Sequence, residues 1–226
     1  MAGDIGCYSL GVFYDEAMNT MQAMGSGIGV ASGLGQLEQF GFEQRVLAVS
    51  GDSTFFHACI PALVNCRHKN ANVTFVILDN ETTAMTGFQP HPGSKESNAG
   101  YTKVDIARIV EAIQPDHFER GNAEDLDALV DRLHTVVERD GVNVILLDSI
   151  CRLEEARRIS VNEVEVHVDP EKCSGERCRI CVQEFGCPAI TWDYSSGQAS
   201  ILGHQCVACG ACMAVCPHDA IKEGKK

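Results

Sequence analysis

The sequence predicts an α/β protein, with a large parallel-sheet domain followed by a small, cysteine-rich α+β domain. Short apolar runs alternate with amphipathic helical patterns over the first part of the chain, as in a parallel sheet covered on both faces. Eight of the twelve cysteines lie between Cys173 and Cys216. The helical periodicity ends after the charged stretch Arg152–Arg158. We therefore place the boundary near Asn162, which gives domains 1–162 and 163–226.

The elements of the large domain follow from the spacing of apolar residues. Strands are typically four to eight apolar residues long, whereas helices repeat them at three- and four-residue intervals. Three runs are predicted to be buried strands: residues 46–50, 73–79 and 142–148. Four segments are predicted to be helices: residues 23–35, 55–68, 105–113 and 124–138. Because strands and helices alternate along the chain, the strands are expected to run parallel.

Charge and hydropathy exclude several classes of partner. The formal net charge is −13 and the isoelectric point is near 4.9, which argues against a protein that binds nucleic acid phosphates. No apolar run reaches the eighteen or so residues of a membrane helix. The first residues lack a basic segment followed by an apolar core, so we expect no secretory leader. A cytoplasmic, oxygen-poor setting with reduced cysteines is expected.

The second cysteine run has the spacing of an iron–sulfur ligand set. It reads Cys206-x2-Cys209-x2-Cys212-x3-Cys216-Pro217, which is the C-x2-C-x2-C-x3-C-P run of bacterial ferredoxins. In two-cluster ferredoxins the fourth cysteine of such a run ligates the other cluster. The alternative is a zinc site, but zinc usually takes two CxxC pairs set well apart. The spacing therefore favours a [4Fe–4S] cluster.

The first cysteine run is a looser version of the same pattern, and it indicates a bacterial-type two-cluster ferredoxin domain. By this logic one cluster is held by Cys187, Cys206, Cys209 and Cys212. The second cluster is held by Cys173, Cys178, Cys181 and Cys216. The four-residue gap after Cys173 resembles plant-type [2Fe–2S] spacing, so the type of this cluster stays open. The alternative is a single cluster with spare thiols.

Polar side chains follow two neighbouring strands of the predicted sheet. Gly51-Asp52-Ser53 comes directly after the strand at 46–50, and Asp79-Asn80-Glu81-Thr82 follows the next strand. Ligands of open α/β sheets bind at the carboxyl ends of the strands, where such side chains can meet. A carboxylate and an amide oxygen, together with a diphosphate, suit Mg²⁺. The two polar motifs lie at the ends of neighbouring strands and at this separation in the sequence. Their pairing favours a metal–diphosphate site over two unrelated turns.

At these residues the chain resembles a known family. The stretch from Gly51 to Asn80 looks like the thiamine diphosphate motif, GDG followed about thirty residues later by NN. Ser53 and Asp79 depart from that motif in a way that looks usual for the 2-oxoacid:ferredoxin oxidoreductases. Residues 3–8, 51–57 and 78–93 are similar to the C-terminal half of the α subunits of the indolepyruvate-type enzymes. Those subunits also end in a two-cluster ferredoxin domain, so the resemblance covers nearly the whole chain.

The resemblance implies site residues in the large domain. Asp52 and the Asn80 side chain would bind Mg²⁺ together with the backbone carbonyl of Thr82. Thiamine diphosphate would be contacted by Gly6, Met24, Gly25, Ser26, Gly51, Asp52, Ser53, Thr54, Asn80, Thr82, Thr86 and Gly87. His57 is the candidate catalytic residue, and His91 is a second candidate for substrate or proton handling; structural histidines are the alternative. Met85 replaces an asparagine of pyruvate-type relatives, which favours an aryl 2-oxoacid.

The resemblance also implies a function and partners. Such enzymes convert a 2-oxoacid and CoA to acyl-CoA and CO2 and pass electrons through iron–sulfur clusters to ferredoxin. The half that binds the aminopyrimidine ring and supplies an activating glutamate lies upstream in the resembling subunits, so we expect it on a partner chain. Two alternatives remain: a non-redox thiamine-dependent decarboxylase subunit, and an electron-transfer or assembly subunit with a non-catalytic thiamine site.

Overall fold

The computed structural model describes residues 1–14, 17–94, 101–158 and 164–225. Contacts within the chain divide it into two compact units, Met1–Cys151 and Arg152–Lys226. The predicted boundary at Asn162 falls within residues 159–163, outside the described residues.

A six-stranded sheet forms the centre of the first unit, and every neighbouring pair in it is parallel. The strands are β1 (Ala2–Gly3), β2 (Thr20–Met21), β3 (Leu47–Gly51), β4 (Val73–Asp79), β5 (His117–Asn122) and β6 (Val142–Asp148). Their order across the sheet is β2-β1-β3-β4-β6-β5. The predicted α/β class with a parallel sheet is confirmed. The strands β1, β2 and β5 were not predicted, because the first two are only two residues long and β5 is largely polar.

Helices and short helical turns connect the strands. The helices are α1 (Ser26–Leu34), α2 (Asp52–Thr54), α3 (Ile60–Lys69), α4 (Ile106–Ile113) and α5 (Leu126–Val137), and 3-10 turns occupy Cys7–Phe13, Glu38–Phe40 and Ala84–Thr86. Asp105 and Asp125 cap α4 and α5 by accepting hydrogen bonds from Ala107 N–H and Ala128 N–H. Such caps satisfy backbone donors that a helix start leaves free.

The helix predicted over residues 55–68 begins earlier and is not uniform. It starts with α2 at Asp52, continues as a π-helical segment over Phe55–Cys59, and becomes regular in α3. Pro61 lies in the first turn of α3 and has no N–H to donate to the preceding turn. The π-helical segment is therefore located where the regular hydrogen-bond ladder is interrupted.

Both faces of the sheet are buried, because alternate residues of each strand point to opposite sides. On one face Phe75 and Ile77 of β4 pack with Ile28 of α1, Leu63 of α3 and Val110 of α4. On the other face Val76 of β4 and Ile145 of β6 pack with Val136 of α5. The sheet is thus covered by helices on both sides, which leaves its carboxyl edge for the loops that carry the polar motifs.

The second unit is built from short elements around cysteine-bearing loops. It contains α6 (Arg152–Arg158), β7 (Val164–Val168), α7 (Ile180–Gln183), β8 (Ile190–Asp193), β9 (Gln198–Ile201), α8 (Ala211–Val215) and β10 (Ile221–Lys225), with a 3-10 turn at Gly175–Arg177. β7 pairs antiparallel with β10, and β8 with β9. A small core of Val166, Ile190, Ala199, Cys212 and Ile221 lies between them. None of the helices in the described parts of the chain has the length and apolarity of a membrane-spanning segment.

Candidate functional site

The carboxyl ends of β3 and β4 bring the predicted metal ligands together. Asp52 follows β3 and is 2 % exposed, and its Oδ2 accepts a hydrogen bond from the Asn80 backbone N–H at 3.0 Å. Its other oxygen, Oδ1, accepts from Ser53 N–H at 2.7 Å. Asn80 follows β4, and its side-chain Oδ1 accepts from Thr82 N–H at 3.1 Å. The two loops are therefore held in fixed proximity at this edge of the sheet.

A cavity of about 160 Å³ lies beside these residues. Of the predicted thiamine-contacting residues, it is lined by Gly6, Met24, Gly51, Asp52, Ser53, Thr54, Asn80, Thr82 and Thr86, and also by Met85. Gly25, Ser26 and Gly87 do not line it. The Gly25 N–H instead donates to Asp4 Oδ2 at 2.9 Å, away from the cavity wall.

Asp79 makes this edge strongly acidic. Burial, the charge of neighbouring Asp52 and a hydrogen bond with it, and the charge of Asp148 together raise the pKa of Asp79 to about 7. The repulsion between neighbouring carboxylates is reduced when one of them binds a proton or when a cation binds beside them. The donor set of buried carboxylate, amide oxygen and backbone carbonyl fits Mg²⁺, which takes oxygen ligands. Among the described residues, however, no three His, Cys, Asp or Glu side chains form a group that could hold a metal ion.

The two candidate histidines have different environments. His57 is exposed on the π-helical segment and is absent from the cavity wall. His91 is buried, and its Nδ1 accepts from Gly93 N–H at 3.1 Å. His91 Nε2 lies 3.0 Å from Asp52 Oδ2, although the angle does not satisfy a hydrogen bond. Of the two, His91 is the one that contacts a predicted Mg²⁺ ligand.

Sequence reasoning missed Asp4 and Tyr8. Asp4 is fully buried and accepts hydrogen bonds from Tyr8 Oη, Gly25 N–H and Ser50 Oγ. Burial raises the pKa of the Asp4 carboxyl, while these hydrogen bonds oppose that rise. Burial and the hydrogen bond and charge of Asp4 raise the pKa of Tyr8, whose ring lines the cavity. A carboxylate directly after a strand is the sequence signal that could have identified Asp4. That signal was not recognised, because β1 is too short to show a strand pattern.

The eight tail cysteines fall into two sets of four neighbouring thiols, although within the described residues neither set is arranged to hold a metal ion as it stands. Burial raises the pKa of Cys212 to about 11, and three neighbouring thiols add to the rise: Cys209, Cys187 and Cys206. Burial also raises the pKa of Cys181, with contributions from Cys216, Cys173 and Cys178. Each group takes one cysteine from the other run, and its members are those of a predicted ligand set. Cysteine thiolates arranged in fours are the donor set of iron–sulfur clusters, so these residues fit such groups.

Comparison with known families gives two matches. Residues 4–146 match the thiamine pyrophosphate enzyme family, C-terminal TPP binding domain. Residues 204–222 match the 4Fe-4S binding domain. The first match spans the β3 and β4 loops described above, and the second contains the second cysteine run.

Similar proteins are found among curated sequences and solved structures. Indolepyruvate oxidoreductase subunit IorA of Thermococcus kodakarensis is 37 % identical over 98 % of this chain, which covers 37 % of that protein. The subunit of the same name from Archaeoglobus fulgidus is 35 % identical over 100 % of this chain, covering 36 % of that protein. The chain thus spans little more than a third of the length of these relatives. A 2-oxoglutarate:ferredoxin oxidoreductase from Magnetococcus marinus has the same fold, with a TM-score of 0.55 and 19 % identity over 66 % of this chain and 53 % of that one.

These matches agree with the geometry of the carboxyl edge of the sheet and with the resemblance predicted from the motifs. The similarity to the IorA subunits extends over nearly the whole chain, so the predicted resemblance is confirmed. The family match covers more than half of the chain, including Asp52 and Asn80. The chain belongs to the thiamine pyrophosphate enzymes and contains their C-terminal cofactor-binding domain.

Proposed function

We propose that this chain is the diphosphate-binding and electron-transfer part of a thiamine-diphosphate-dependent 2-oxoacid:ferredoxin oxidoreductase. The reaction is the oxidative decarboxylation of an aryl or related 2-oxoacid to acyl-CoA and CO2, with ferredoxin as electron acceptor. One observation carries this proposal: a single chain combines the acidic Asp52–Asn80 site with two groups of four cysteines. The similarity to indolepyruvate oxidoreductase subunits supports it.

In this proposal each part of the site has a definite role. Asp52, the Asn80 side chain and the Thr82 carbonyl hold Mg²⁺ at the diphosphate of the cofactor. Thiamine diphosphate, when bound, supplies an electron sink for decarboxylation. Met24 and Met85 add apolar surface to the wall of the cavity. The cysteine groups hold two [4Fe–4S] clusters, which accept single electrons. His91 lies beside the metal ligand Asp52, whereas His57, exposed on the π-helical segment and absent from the cavity wall, is kept as the candidate catalytic residue from the motif resemblance.

The activating glutamate and the aminopyrimidine-binding half are assigned to a partner chain. The cavity is bordered by exposed apolar side chains, including Ile5, Met24 and Met85, with 37 %, 46 % and 47 % of their surface exposed. Apolar side chains around a polar site are typical of a surface that another protein covers. This exposed apolar border therefore supports a cofactor that is enclosed between this chain and a partner chain.

The first experiment is an anaerobic native mass spectrum of the protein purified from its source. We expect a complex with a second chain, bound thiamine diphosphate and about eight irons for each copy of this chain. A complex of this kind would then be assayed with CoA, a viologen acceptor, and aryl and branched 2-oxoacids. A lone chain that carries iron and no thiamine would contradict the proposal and favour an electron carrier.

The same assay distinguishes the proposed oxidoreductase from the remaining alternative, a non-redox decarboxylase subunit. A non-redox decarboxylase subunit would release CO2 from the 2-oxoacid with no reduction of the viologen. The proposed oxidoreductase reduces two viologens for each CO2, because oxidation of the 2-oxoacid releases two electrons. The ratio of viologen reduced to CO2 released therefore decides between the two activities.

A further inference from the structure

Arg179 occupies an unusual backbone position in the second unit. Its φ is +62°, in the left-handed region, and it caps the N-terminus of α7. The corresponding position of the second cysteine run is Gly210, which caps α8 with a φ of +74°. The two residues correspond because each follows one ligand cysteine and precedes the next by two positions, in Cys178-Arg179-Ile180-Cys181 and Cys209-Gly210-Ala211-Cys212.

Glycine adopts this conformation without strain, whereas an arginine does not. The second run therefore has the residue that the backbone favours, and the first run has one that it disfavours. A strained residue of this kind persists where its surroundings hold it in place, and it is a reason to look for a role of its side chain.

The Arg179 side chain lies at the first cysteine group. It lines a cavity together with all four cysteines of that group: Cys173, Cys178, Cys181 and Cys216. Its guanidinium carbon is 4.4 Å from the centroid of the Trp192 ring, which orients the group by a cation–π contact. Its Nε is buried and has no hydrogen-bond partner within the described part of the chain. Among the described residues lining this cavity, Arg179 is the one with a permanent charge.

The corresponding place at the second group has the opposite electrostatic character. Gly210 brings no side chain, and Glu223 Oε1 lies 3.4 Å from the position that a Cβ on Gly210 would occupy. Glu223 is exposed, so water screens its charge. The two cysteine groups, otherwise similar in arrangement, thus differ in local charge: a partly buried cation at one and an exposed anion near the other.

We propose that Arg179 raises the reduction potential of the cluster held by Cys173, Cys178, Cys181 and Cys216 above that of the other cluster. The inference rests on the two clusters of the proposed function. Reduction adds one electron, and so one negative charge, to an already anionic cluster, and no proton transfer is needed. A guanidinium that lines the same cavity as these cysteines, and whose Nε has no acceptor among the described residues, stabilises the negative charge that reduction adds. The Arg179 cluster therefore accepts an electron first.

The test is a redox titration of this chain with its clusters intact, using dithionite as reductant and electron paramagnetic resonance as the readout. Wild type is expected to show two one-electron steps. Arg179→Gln and Arg179→Gly should both lower the reduction potential of the higher step and leave the potential of the lower step unchanged. Glycine is included because the left-handed backbone at this position favours it. Arg179→Lys should lower it less, because lysine retains the charge and loses the planar donor group. Glu223→Gln should raise the lower step slightly.

Arg177→Gln is the matched control, since Arg177 is an exposed arginine two residues away. Equal shifts in Arg177→Gln and Arg179→Gln would overturn the inference, and so would two unshifted steps in Arg179→Gln. Loss of one cluster in both Arg179→Gln and Arg179→Gly would also overturn it, because Arg179 would then be needed for assembly. If the wild-type chain binds fewer than two clusters, the proposed function fails as well, which iron analysis shows independently.

Discussion

At the scale of single residues, the first unit concentrates negative charge at one buried point. Asp52 is nearly inaccessible to water, and its neighbour Asp79 holds its proton to about pH 7 because of burial and of the nearby carboxylate. A neighbouring carboxylate in such a place disfavours the ionised form of Asp79. The local arrangement therefore favours binding of a cation, and Asp52 is the residue on which that binding should depend most.

Replacing Asp52 by asparagine should weaken Mg²⁺-dependent binding of thiamine diphosphate by roughly 10- to 100-fold. The expected loss corresponds to about 1.5–3 kcal/mol, which is typical of an interaction with a charged group. Calorimetric titration of the native protein with the cofactor and Mg²⁺ measures it. Asp127→Asn, on the exposed first turn of α5, is the matched control and should leave the affinity unchanged. Unchanged affinity in Asp52→Asn would contradict the assignment.

The two histidines should respond differently to the same substitution. His91→Asn should reduce the Mg²⁺-dependent affinity for the cofactor about tenfold, because groups that hold a metal ligand in place contribute to metal binding. His57→Asn should leave that affinity in place, because its side chain is exposed away from the cavity. Both are measured by the same titration. A larger loss of affinity in His57→Asn than in His91→Asn would reverse the roles inferred for them.

Part of the site could be predicted from the sequence, because it follows from where strands end. Asp52 and Asn80 were found in this way, since both follow strands with clear apolar runs. Asp4 was missed, because the strand before it has only two residues and shows no periodicity. The contact of His91 with Asp52 depends on the path of the loop after β4, and no spacing in the sequence encodes that path.

At the scale of elements, the start of α1 is fixed by close contact with its surroundings. Gly25 has a φ of +81° and caps this helix, and a Cβ added there would lie 2.5 Å from the Ala58 Cβ. Its N–H also donates to the buried Asp4. The helix predicted over residues 23–35 therefore begins at Ser26, after the glycine that allows the approach.

A pair of glycine substitutions in this region should have opposite effects on stability. Gly25→Ala should lower the free energy of unfolding by about 2 kcal/mol or more, through left-handed strain and overpacking. Gly29→Ala should raise it by roughly 0.5–1 kcal/mol, because Gly29 is within α1 and nothing lies within 4 Å of an added Cβ. Thermal denaturation followed by circular dichroism compares the two. Stabilisation by Gly25→Ala would contradict the contact.

The elements were predicted best where the apolar pattern is strong. β4 and β6 have the predicted bounds, since both are continuous apolar runs buried on two faces. β5 was missed because its sequence, His117–Asn122, is mostly polar and lies at the edge of the sheet. The π-helical segment has no sequence pattern apart from the proline that follows it, and its hydrogen bonding depends on packing against the sheet.

At the scale of the whole molecule, the two units are stabilised by different means. Met1–Cys151 has extensive apolar packing on both faces of its sheet. Arg152–Lys226 has two short antiparallel pairs and a small core, and several of the predicted ligand cysteines pack against that core. Small units of this kind usually depend on metal ligation or other crosslinks for stability.

Removal of iron should therefore unfold the second unit and leave the first folded. We expect calorimetry under argon to show two transitions in the iron-loaded protein. An iron-specific chelator should abolish the transition of the second unit and leave the other within a few degrees of its position. The untreated protein carried through the same incubation is the control. A single transition that is lost completely on chelation would contradict independent stabilisation of the first unit.

The pairing of β7 with β10 has a consequence for the architecture of the second unit. Val164 lies opposite Lys225, and Val168 lies opposite Ile221, so the first and last strands of the unit are side by side. Within the described residues each of these two strands has the other as its sheet partner. Loss of either strand would therefore leave the backbone donors and acceptors of the other strand unpaired along the pairing edge, so the two strands are expected to fold and unfold together.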